Sequence, residues 1–414
     1  MRRVVVAGLA VLAVVTALSG CAVGPGQEVG PRFALSQNPS AVGSRIGIRV
    51  LALPPGQFVT VSATVTAGDV WSSQAEYTVP PDGEVDLATE APLDAPFRGA
   101  DGMGLFWSLA NAEGTPATSD ETWGGATQTV DLAATVDGRV VARTAVQRIG
   151  YATMAPSRAV FDDGITGDYF RPTRGSVGVR PAVIVFDGTD SGVPAGVLEA
   201  SQLAAMGYPA LALSTFGSAG QSNPSQTFPA ERFVSALDWL RSQPGVDAQH
   251  IFTFGSSRGA QLALWSAAQY AGDVYGAIAP GGTTGLICNS PVTSPSVTVD
   301  GVWVPCSTTT LDVSPEAVLP LSVIPGPIVL GCAGHDEQLG NGCAWMTAGE
   351  KARGQRSGDE FVDAPDATHL FYLPPYTPLD LPAEPYTQAT ESARVAFWAA
   401  VAAALSAPST IPGR

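Results

Sequence analysis

The stretch IFTFGSSRGAQLALW, from Ile251 to Trp265, decides the fold of this chain. It opens with a short apolar run that is long enough for one buried strand. A glycine-rich turn centred on Ser257 follows, and apolar residues then recur at helical spacing. A strand, a sharp turn that carries a serine, and a helix together form a nucleophile elbow. The stretch therefore predicts an α/β fold and makes Ser257 the candidate nucleophile.

Two glycines flank the serine, Gly255 on one side and Gly259 on the other. The turn brings the backbone so close together that a Cβ at either position would clash. The turn also holds Ser257 in a strained conformation, with its backbone N–H near the start of a helix. GxSxG occurs by chance in chains rich in Gly and Ser, so its weight here comes from the flanking strand and helix.

The residues around the elbow alternate between strand patterns and helix patterns. The predicted strands cover 181–186, 208–213, 251–254, 274–279, 327–332 and 360–362, and the predicted helices cover 193–206, 230–240 and 388–405. Because such alternation builds a mainly parallel sheet with helices on both faces, residues 151–410 are predicted to form one α/β domain. The alternation stops at 281–320, and we expect this insertion, rich in Thr, Ser and Pro, to shape a binding site.

Residues 35–150 show a different pattern, in which short runs rich in Val, Thr and Ile are separated by turn residues. The runs with strand composition are 45–53, 57–67, 128–136 and 140–149. Asp137-Gly138 between the last two runs is a strong signal for a hairpin. Several short strands with no helical stretch among them predict an all-β sandwich. No residue in this region has a catalytic pattern.

The composition of the whole chain limits the classes of partner. Of the 414 residues, 45% are apolar, which is enough to bury a sizeable core, and the formal net charge is −16. Nucleic-acid binding depends on basic surface that displaces counterions, so no nucleic-acid partner is expected. The sequence has no CxxC motif and no cluster of His and Cys, so we predict neither a metal site nor a cofactor.

The N-terminus has the pattern of an export signal. Arg2 and Arg3 precede an apolar run from Val4 to Leu18, and small residues then lead to Cys21. Leu-Ser-Gly-Cys resembles the bacterial lipobox, in which the cysteine is lipidated and becomes the mature N-terminus. We therefore expect a lipoprotein signal peptide at 1–20, a tether at 21–34, and a protein that is exported and lipid-anchored to the outer face of the bacterial cell membrane. An ordinary signal peptide with an incidental cysteine is the alternative.

Four further cysteines are present, namely Cys288, Cys306, Cys332 and Cys343. An even number in an exported chain favours disulfides, and four cysteines allow three pairings. The entropic cost of loop closure favours neighbours in sequence, Cys288 with Cys306 and Cys332 with Cys343. Four reduced, buried cysteines are the alternative.

A serine hydroxyl needs an adjacent base, which is nearly always a histidine. The chain has 3 histidines. His250 directly precedes the elbow strand, so we expect it in a surface loop at the opposite end of the sheet from Ser257. His369 follows the last predicted strand and precedes the closing helix, which matches the order Ser, acid, His of elbow folds. His369 is therefore the candidate base, and His335 is the alternative.

The acid of such a triad belongs just after the predicted strand at 327–332, where the chain reads GCAGHDEQL. Asp336 is the first candidate and Glu337 is the second. Either carboxylate would accept a hydrogen bond from the far ring nitrogen of His369. This bond would fix the tautomer of the ring and stabilise the imidazolium.

An oxyanion hole needs two donors aimed at the developing negative charge. The backbone N–H of Arg258, directly after Ser257, is one candidate. The loop after the predicted strand at 181–186 carries glycines that let the backbone approach a substrate, and Thr189 in this loop is the other candidate. We expect the side chain of Arg258 to stabilise the elbow, and contact with an anionic substrate is the alternative.

Several further stretches carry a family resemblance. They are DGMGLFWS at 101–108, YFRP at 169–172 before PAV at 181–183, AAMGY at 204–208, ALAL at 210–213 and ALDWL at 236–240. Together with the elbow, they resemble the acyl-CoA thioesterase / bile acid-CoA:amino acid N-acyltransferase family. The resemblance runs from about residue 36 to the C-terminal helix. It implies a β-sandwich followed by an α/β-hydrolase domain that acts through an acyl-enzyme intermediate.

The sequence departs from this family at two places. Several animal members have a cysteine as the nucleophile, and the acyltransferase branch depends on it, whereas this chain has Ser257. Serine favours transfer of the acyl group to water, so hydrolysis is favoured over conjugation to an amino acid. Family members also often have a tryptophan shortly after the acid, where this chain has Leu339-Gly340-Asn341.

We therefore expect a serine hydrolase that cleaves small-molecule acyl thioesters with Ser257, His369 and Asp336. Coenzyme A thioesters are cytosolic, whereas a lipoprotein lies outside the cytoplasm, so the reaction type transfers from the family better than the substrate. One alternative is an envelope carboxylesterase or lipase-like enzyme that acts on oxygen esters. The others are an acyl-CoA:amino acid N-acyltransferase and a non-catalytic, ligand-binding lipoprotein.

Overall fold

The computed structural model describes residues 30–118, 123–124, 127–162, 164–172, 178–186, 195–215, 227–289, 294–381 and 386–407. The predicted signal peptide, Cys21 and Thr189 lie outside the described residues. Among the described residues, no helix combines the length and the apolar composition that a membrane span requires.

The N-terminal region is built from two mainly antiparallel sheets. Its strands are β1 (Arg32–Leu35), β2 (Ser40–Ala41), β3 (Ile48–Leu51), β4 (Phe58–Ala67), β5 (Asp69–Thr78), β6 (Val85–Asp86), β7 (Gln128–Val136) and β8 (Arg139–Ile149). The larger sheet has the order β2-β8-β7-β4-β5, with β2 parallel to β8, and the smaller has the order β1-β3-β6. Side chains from both sheets form one apolar core, for example Val61 of β4 and Val50 of β3. The predicted β-sandwich is confirmed.

Four details of this region test the sequence patterns. Asp137 and Gly138 form the turn between β7 and β8 with φ of 49° and 71°, as expected of a tight hairpin. The prediction of no helix was wrong, because a buried helical turn, α1 (Gly104–Trp107), lies within DGMGLFWS. The prediction also missed β5, in which polar residues alternate with buried ones such as Trp71 and Tyr77. The predicted tether ends too late, because Arg32–Leu35 pairs with β3 as a strand.

The C-terminal region alternates strands and helices. Its strands are β9 (Ser157–Asp162), β10 (Ile165–Phe170), β11 (Arg180–Phe186), β12 (Ala210–Leu213), β13 (Phe228–Pro229), β14 (Val246–Gly255), β15 (Gly276–Pro280), β16 (Val297–Val299), β17 (Val302–Trp303), β18 (Ile328–His335) and β19 (Glu360–Thr368). Its helices are α2 (Tyr151–Met154), α3 (Ala195–Ala205), α4 (Ala230–Arg241), α5 (Arg258–Gln269), α6 (Gly342–Arg353) and α7 (Tyr386–Ser406), with 3₁₀ turns at Leu321–Val323 and His369–Tyr372.

One sheet of eight strands organises this region, in the order β19-β18-β15-β14-β11-β12-β10-β9. The six strands from β19 to β12 are parallel to their neighbours, and β10 is antiparallel to both β12 and β9. Successive residues of β11 enter opposite cores, since Ile184 packs in one apolar cluster and Val183 in the other. Helices therefore cover both faces, and the α/β-hydrolase fold class is confirmed.

The parallel strands explain how distant residues meet. The carboxyl ends of parallel strands lie at one edge of a sheet, which is where α/β folds place their ligands. Ser257 follows β14, Asp336 follows β18 and His369 follows β19, with only β15 between β14 and β18. His250 lies on β14 itself rather than in a loop, because β14 begins at Val246, five residues before the predicted start. Its ring is paired with Asp247 at 2.8 Å.

Candidate active site

The elbow holds Ser257 in a conformation that few residues adopt. Ser257 has φ of 52° and ψ of −121° and directly precedes α5. A Cβ built on Gly255 would lie 2.1 Å from the carbonyl oxygen of Gly259, so only glycine fits there. The N–H of Ser257 donates to the carbonyl oxygen of Pro280, at the end of β15, over 3.0 Å. This bond fixes the serine to the neighbouring strand and leaves its side chain to face the base.

His369 joins the other two candidate residues. Its Nε2 lies 2.9 Å from Oγ of Ser257, and its Nδ1 lies 2.8 Å from Oδ2 of Asp336. A carboxylate accepts from Nδ1–H, so this arrangement leaves Nε2 as the acceptor for the serine hydroxyl. His369 and Asp336 are 4% and 7% exposed, and this burial strengthens the electrostatic interaction between them.

The two candidate acids contact different parts of the histidine. Oδ1 of Asp336 accepts hydrogen bonds from the backbone N–H groups of Gln338 and Leu339, at 2.9 and 2.7 Å, while its Oδ2 faces the ring. Glu337 accepts instead from the backbone N–H of His369, at 3.1 Å. Asp336 is thus the ring partner, and Glu337 holds the backbone that carries the ring.

The alternative base lies away from the serine. His335 is exposed, and its ring packs against Tyr386 with the centroids 4.6 Å apart. The structure therefore brings together Ser257, His369 and Asp336 and leaves His335 outside this hydrogen-bonded chain.

Of the two oxyanion candidates, only Arg258 lies among the described residues. It is the first residue of α5, where backbone N–H groups have no partner within the helix and where the helix dipole favours negative charge. Its guanidinium donates to Oδ1 of Asn289 and so connects the elbow to the insertion.

A cavity of about 290 Å³ borders the serine and the histidine. All of its lining residues belong to the C-terminal region: Ser257, Arg258, Gln261, Gly281, Gly282, Thr283, Ile287, Cys288, Asn289, Thr310, Gln338, Leu339 and His369. The predicted insertion contributes one wall, from Gly281 to Asn289 and again at Thr310.

Two disulfides bracket this site. Cys288 is bonded to Cys306, within the insertion, and Cys332 is bonded to Cys343. This is the pairing that loop closure favours. The second bridge closes the segment that contains Asp336. Asp363 lies near both sulfurs of the Cys332–Cys343 bridge. In the described part of the chain, these three side chains are the one group whose types and spacing could hold a metal ion. The two sulfurs are, however, bonded to each other.

Three polar residues near the triad were not predicted from the sequence. Glu199 of α3 is fully buried and accepts a hydrogen bond from Oγ of Ser256 over 3.2 Å. The ring of Tyr372 stands perpendicular to that of His369, with the centroids 5.5 Å apart. Burial, followed by the negative charge of Glu199, raises the pKa of Tyr372 above its usual range. Nothing in the sequence pattern of α3 distinguishes Glu199 from a solvent-facing glutamate.

Comparison with known proteins finds similarity to acyl-coenzyme A acyltransferases and thioesterases. Residues 43–157 match the family described as Acyl-CoA thioester hydrolase/BAAT N-terminal region. The chain is 29% identical over 360 residues to acyl-coenzyme A amino acid N-acyltransferase 1 of Mus musculus, which covers 81% of this chain and 84% of the relative. It is 28% identical over 273 residues to acyl-coenzyme A thioesterase 1 of Rattus norvegicus, which covers 61% of this chain and 62% of the relative.

Among solved structures, the chain is similar to a dienelactone hydrolase-like promiscuous phosphotriesterase from metagenomic libraries. The likeness has 18% identity and a TM-score of 0.40, and it covers 61% of this chain and 97% of that chain. The family match at 43–157 spans most of the sandwich described above. The chain is therefore similar to acyl-CoA thioester hydrolase/BAAT proteins in its N-terminal region, and to acyl-coenzyme A acyltransferases and thioesterases over most of its length.

Proposed function

We propose that this protein is a serine hydrolase that cleaves acyl thioesters. The observation that supports the proposal is the continuous chain of hydrogen bonds from Ser257 through His369 to Asp336, at the border of a cavity. A serine, a base within reach of its hydroxyl and an acid that orients the base are the parts that acyl transfer requires.

The proposed reaction has two halves. Oγ of Ser257 attacks the acyl carbonyl while its proton passes to Nε2 of His369, and Asp336 stabilises the imidazolium. The N–H of Arg258, with Thr189 as the proposed second donor, stabilises the oxyanion. His369 then protonates the departing thiolate, and an acyl-serine remains. A water molecule then attacks the acyl carbonyl while its proton passes to Nε2 of His369. The ester bond to Oγ of Ser257 breaks, His369 returns the proton to Oγ, and the acid leaves.

The choice of thioester rests on the named relatives, which include acyl-coenzyme A thioesterases of several mammals. Other relatives are acyl-coenzyme A amino acid N-acyltransferases. The serine nucleophile favours water over an amino acid as the acyl acceptor. The predicted export favours a second candidate, an envelope carboxylesterase that acts on oxygen esters, because coenzyme A thioesters are cytosolic.

A fluorophosphonate probe tests the enzyme class. We expect it to label the wild type and not Ser257→Ala, whereas Ser242→Ala, at the end of α4, labels normally. Absence of labelling in folded wild type contradicts catalysis and favours a ligand-binding protein. Comparison of kcat/KM for acyl-CoAs and p-nitrophenyl esters of matched chain length then separates the substrates, and activity on oxygen esters alone rejects the thioesterase proposal. Adding glycine or taurine to the acyl-CoA assay tests for an N-acyl product.

We also propose that Cys21 anchors the protein to the outer face of the cell membrane. Labelled palmitate should enter the wild type and not Cys21→Ser, and the variant should leave the membrane fraction. A wild type that incorporates no lipid contradicts the anchor.

A further inference from the structure

A second carboxylate is buried beside the triad, apart from Asp336. Glu199 is fully buried on α3, and it accepts the hydroxyl hydrogen of Ser256, the residue that directly precedes Ser257. Ser256 is itself 1% exposed. Transfer of a carboxylate from water into a protein interior costs several kcal/mol unless its surroundings compensate. Strongly buried ionisable groups next to a reaction centre are for this reason candidates for a role in it.

Tyr372 extends this arrangement to the base. Its pKa is raised by burial first and then by the negative charges of Glu199 and Asp336. The ring of Tyr372 stands at 88° to the ring of His369. Glu199, Ser256 and Tyr372 therefore connect the residue next to the nucleophile with the side chain of the base.

We propose that Glu199 is a positioning residue for the reaction, which acts through Ser256 and Tyr372 to align Ser257 with His369 and to stabilise the imidazolium. The inference rests on the proposed function. When the proton moves from Oγ of Ser257 to Nε2 of His369, a positive charge forms on the ring and a negative charge forms on the substrate oxygen. The negative charge of Glu199, which acts on Tyr372 beside the ring of His369, favours this separation.

The other charged groups around the site have separate partners. They are Asp336 and Glu337 after β18, Arg258 on α5, the Glu391–Arg394 pair on α7 and Tyr151 on α2. Tyr151 interacts with Arg394, Glu391 and Arg148 rather than with Glu199. Neutralising Glu199 alone therefore reports on this carboxylate.

The test compares Glu199→Gln, which keeps an acceptor oxygen for Ser256 but removes the charge, with the wild type. Ser201→Ala is the control, because Ser201 is buried on the same helix and bonds only to Leu198 of its own turn. The C2–H resonance of His369 is followed by NMR against pH, with His250 and His335 as internal references. We expect its titration midpoint to fall by about one pH unit in Glu199→Gln, because an imidazolium that loses a nearby negative charge releases its proton more easily.

Kinetics provide the second measurement. We expect kcat to fall about tenfold in Glu199→Gln with KM nearly unchanged, and the acid limb of kcat/KM to move in the same direction as the NMR midpoint. Tyr372→Phe keeps the ring against His369 and removes the hydroxyl, so kcat should fall and the midpoint should move in the same direction as in Glu199→Gln, by a smaller amount. Ser201→Ala should change neither.

The possible outcomes distinguish this inference from the function on which it rests. An unchanged midpoint in folded Glu199→Gln overturns the role of Glu199, even if the wild type is labelled at Ser257. Should Glu199→Gln not fold, Glu199→Asp keeps the charge, and a shifted midpoint in that variant also overturns the inference. A wild type that is not labelled removes the proposed function, while the NMR result still shows whether Glu199 acts on His369.

Discussion

Nε2 of His369 lies 2.9 Å from Oγ of Ser257, although the two residues are 112 positions apart in the chain. The backbone N–H of each residue is hydrogen-bonded to a residue at the end of a neighbouring strand or just after it. The N–H of Ser257 is bonded to Pro280 at the end of β15, and the N–H of His369 is bonded to Glu337 after β18. The alignment of nucleophile and base thus depends on residues at the carboxyl edge of the sheet.

The assignment of the acid leads to the first prediction. Asp336→Asn keeps the shape of the side chain but removes its charge and disturbs the tautomer of His369, so we expect kcat to fall by about 10⁴. Glu337→Gln keeps an acceptor for the N–H of His369, so we expect a loss of less than about tenfold. Both are measured with a p-nitrophenyl ester at constant pH. A greater loss in Glu337→Gln than in Asp336→Asn would reassign the acid to Glu337.

The elbow glycine gives the second prediction. A Cβ on Gly255 would lie 2.1 Å from a backbone oxygen, whereas one on Gly272 would have no heavy atom within 4 Å. We therefore expect Gly255→Ala to lower the free energy of unfolding by more than about 3 kcal/mol and to abolish labelling of Ser257. Gly272→Ala should stay within about 1 kcal/mol of the wild type. Urea denaturation measures both, and similar stability in the two variants would contradict the crowding argument.

The two disulfides lead to the third prediction, which separates stability from catalysis. The bridges span 18 and 11 residues, and closing loops of this size stabilises a folded protein by about 3 kcal/mol. Replacing either pair by alanines should therefore lower the free energy of unfolding by a similar amount. The kinetic effects should differ, because Cys332–Cys343 closes the segment with Asp336, whereas Cys288 lines the cavity.

We expect the loss of Cys332–Cys343 to lower kcat and the loss of Cys288–Cys306 to raise KM. Steady-state kinetics at a temperature where all variants are folded provide the measurement. Equal effects of the two pairs on kcat and KM would show that neither bridge acts locally on the site.

The sequence predicts the residues that depend on local pattern and chain order. The elbow is contained within fifteen consecutive residues, and the scarcity of histidines leaves His369 as the base that fits the order of the triad. Asp336 and Glu337 could not be separated, because they are adjacent and only the direction of the chain after β18 decides which one meets the ring. The periodicity of the sequence does not indicate the direction that the chain takes after a strand.

The features that the sequence did not predict depend on tertiary contacts. The polar residues of β5 resemble a loop until pairing with β4 buries every second one. α6 is missed because its small and polar residues give only a weak amphipathic pattern. Glu199 resembles a solvent-facing glutamate on a helix rich in alanine. Only packing of this helix behind the elbow shows that the carboxylate is buried.

The C-terminal helix leads to the last prediction, which concerns stability against pH. Glu391 is 5% exposed, and burial raises its pKa to about 7, although Arg394 at 2.7 Å acts in the opposite direction. In the unfolded chain its pKa returns to about 4.5. Between these values the folded protein binds a proton that the unfolded chain releases. The contribution of Glu391 is therefore fully present below pH 4.5 and is lost as the pH rises through 7.

We expect the free energy of unfolding of the wild type to fall between pH 5 and pH 7 relative to Glu391→Gln, by up to about 3 kcal/mol. Glutamine cannot titrate, so its variant lacks this part of the slope, while it keeps an oxygen for the N–H of Tyr376, which bonds to Glu391 over 2.9 Å. Glu350→Gln, at an exposed position on α6, should follow the wild type. Urea denaturation at pH 5, 6 and 7 measures the three proteins. A difference in the free energy of unfolding between wild type and Glu391→Gln that is constant across this range would mean that Glu391 stays charged in the folded state. Arg394 would then hold it as a permanent ion pair beneath the segment that follows His369.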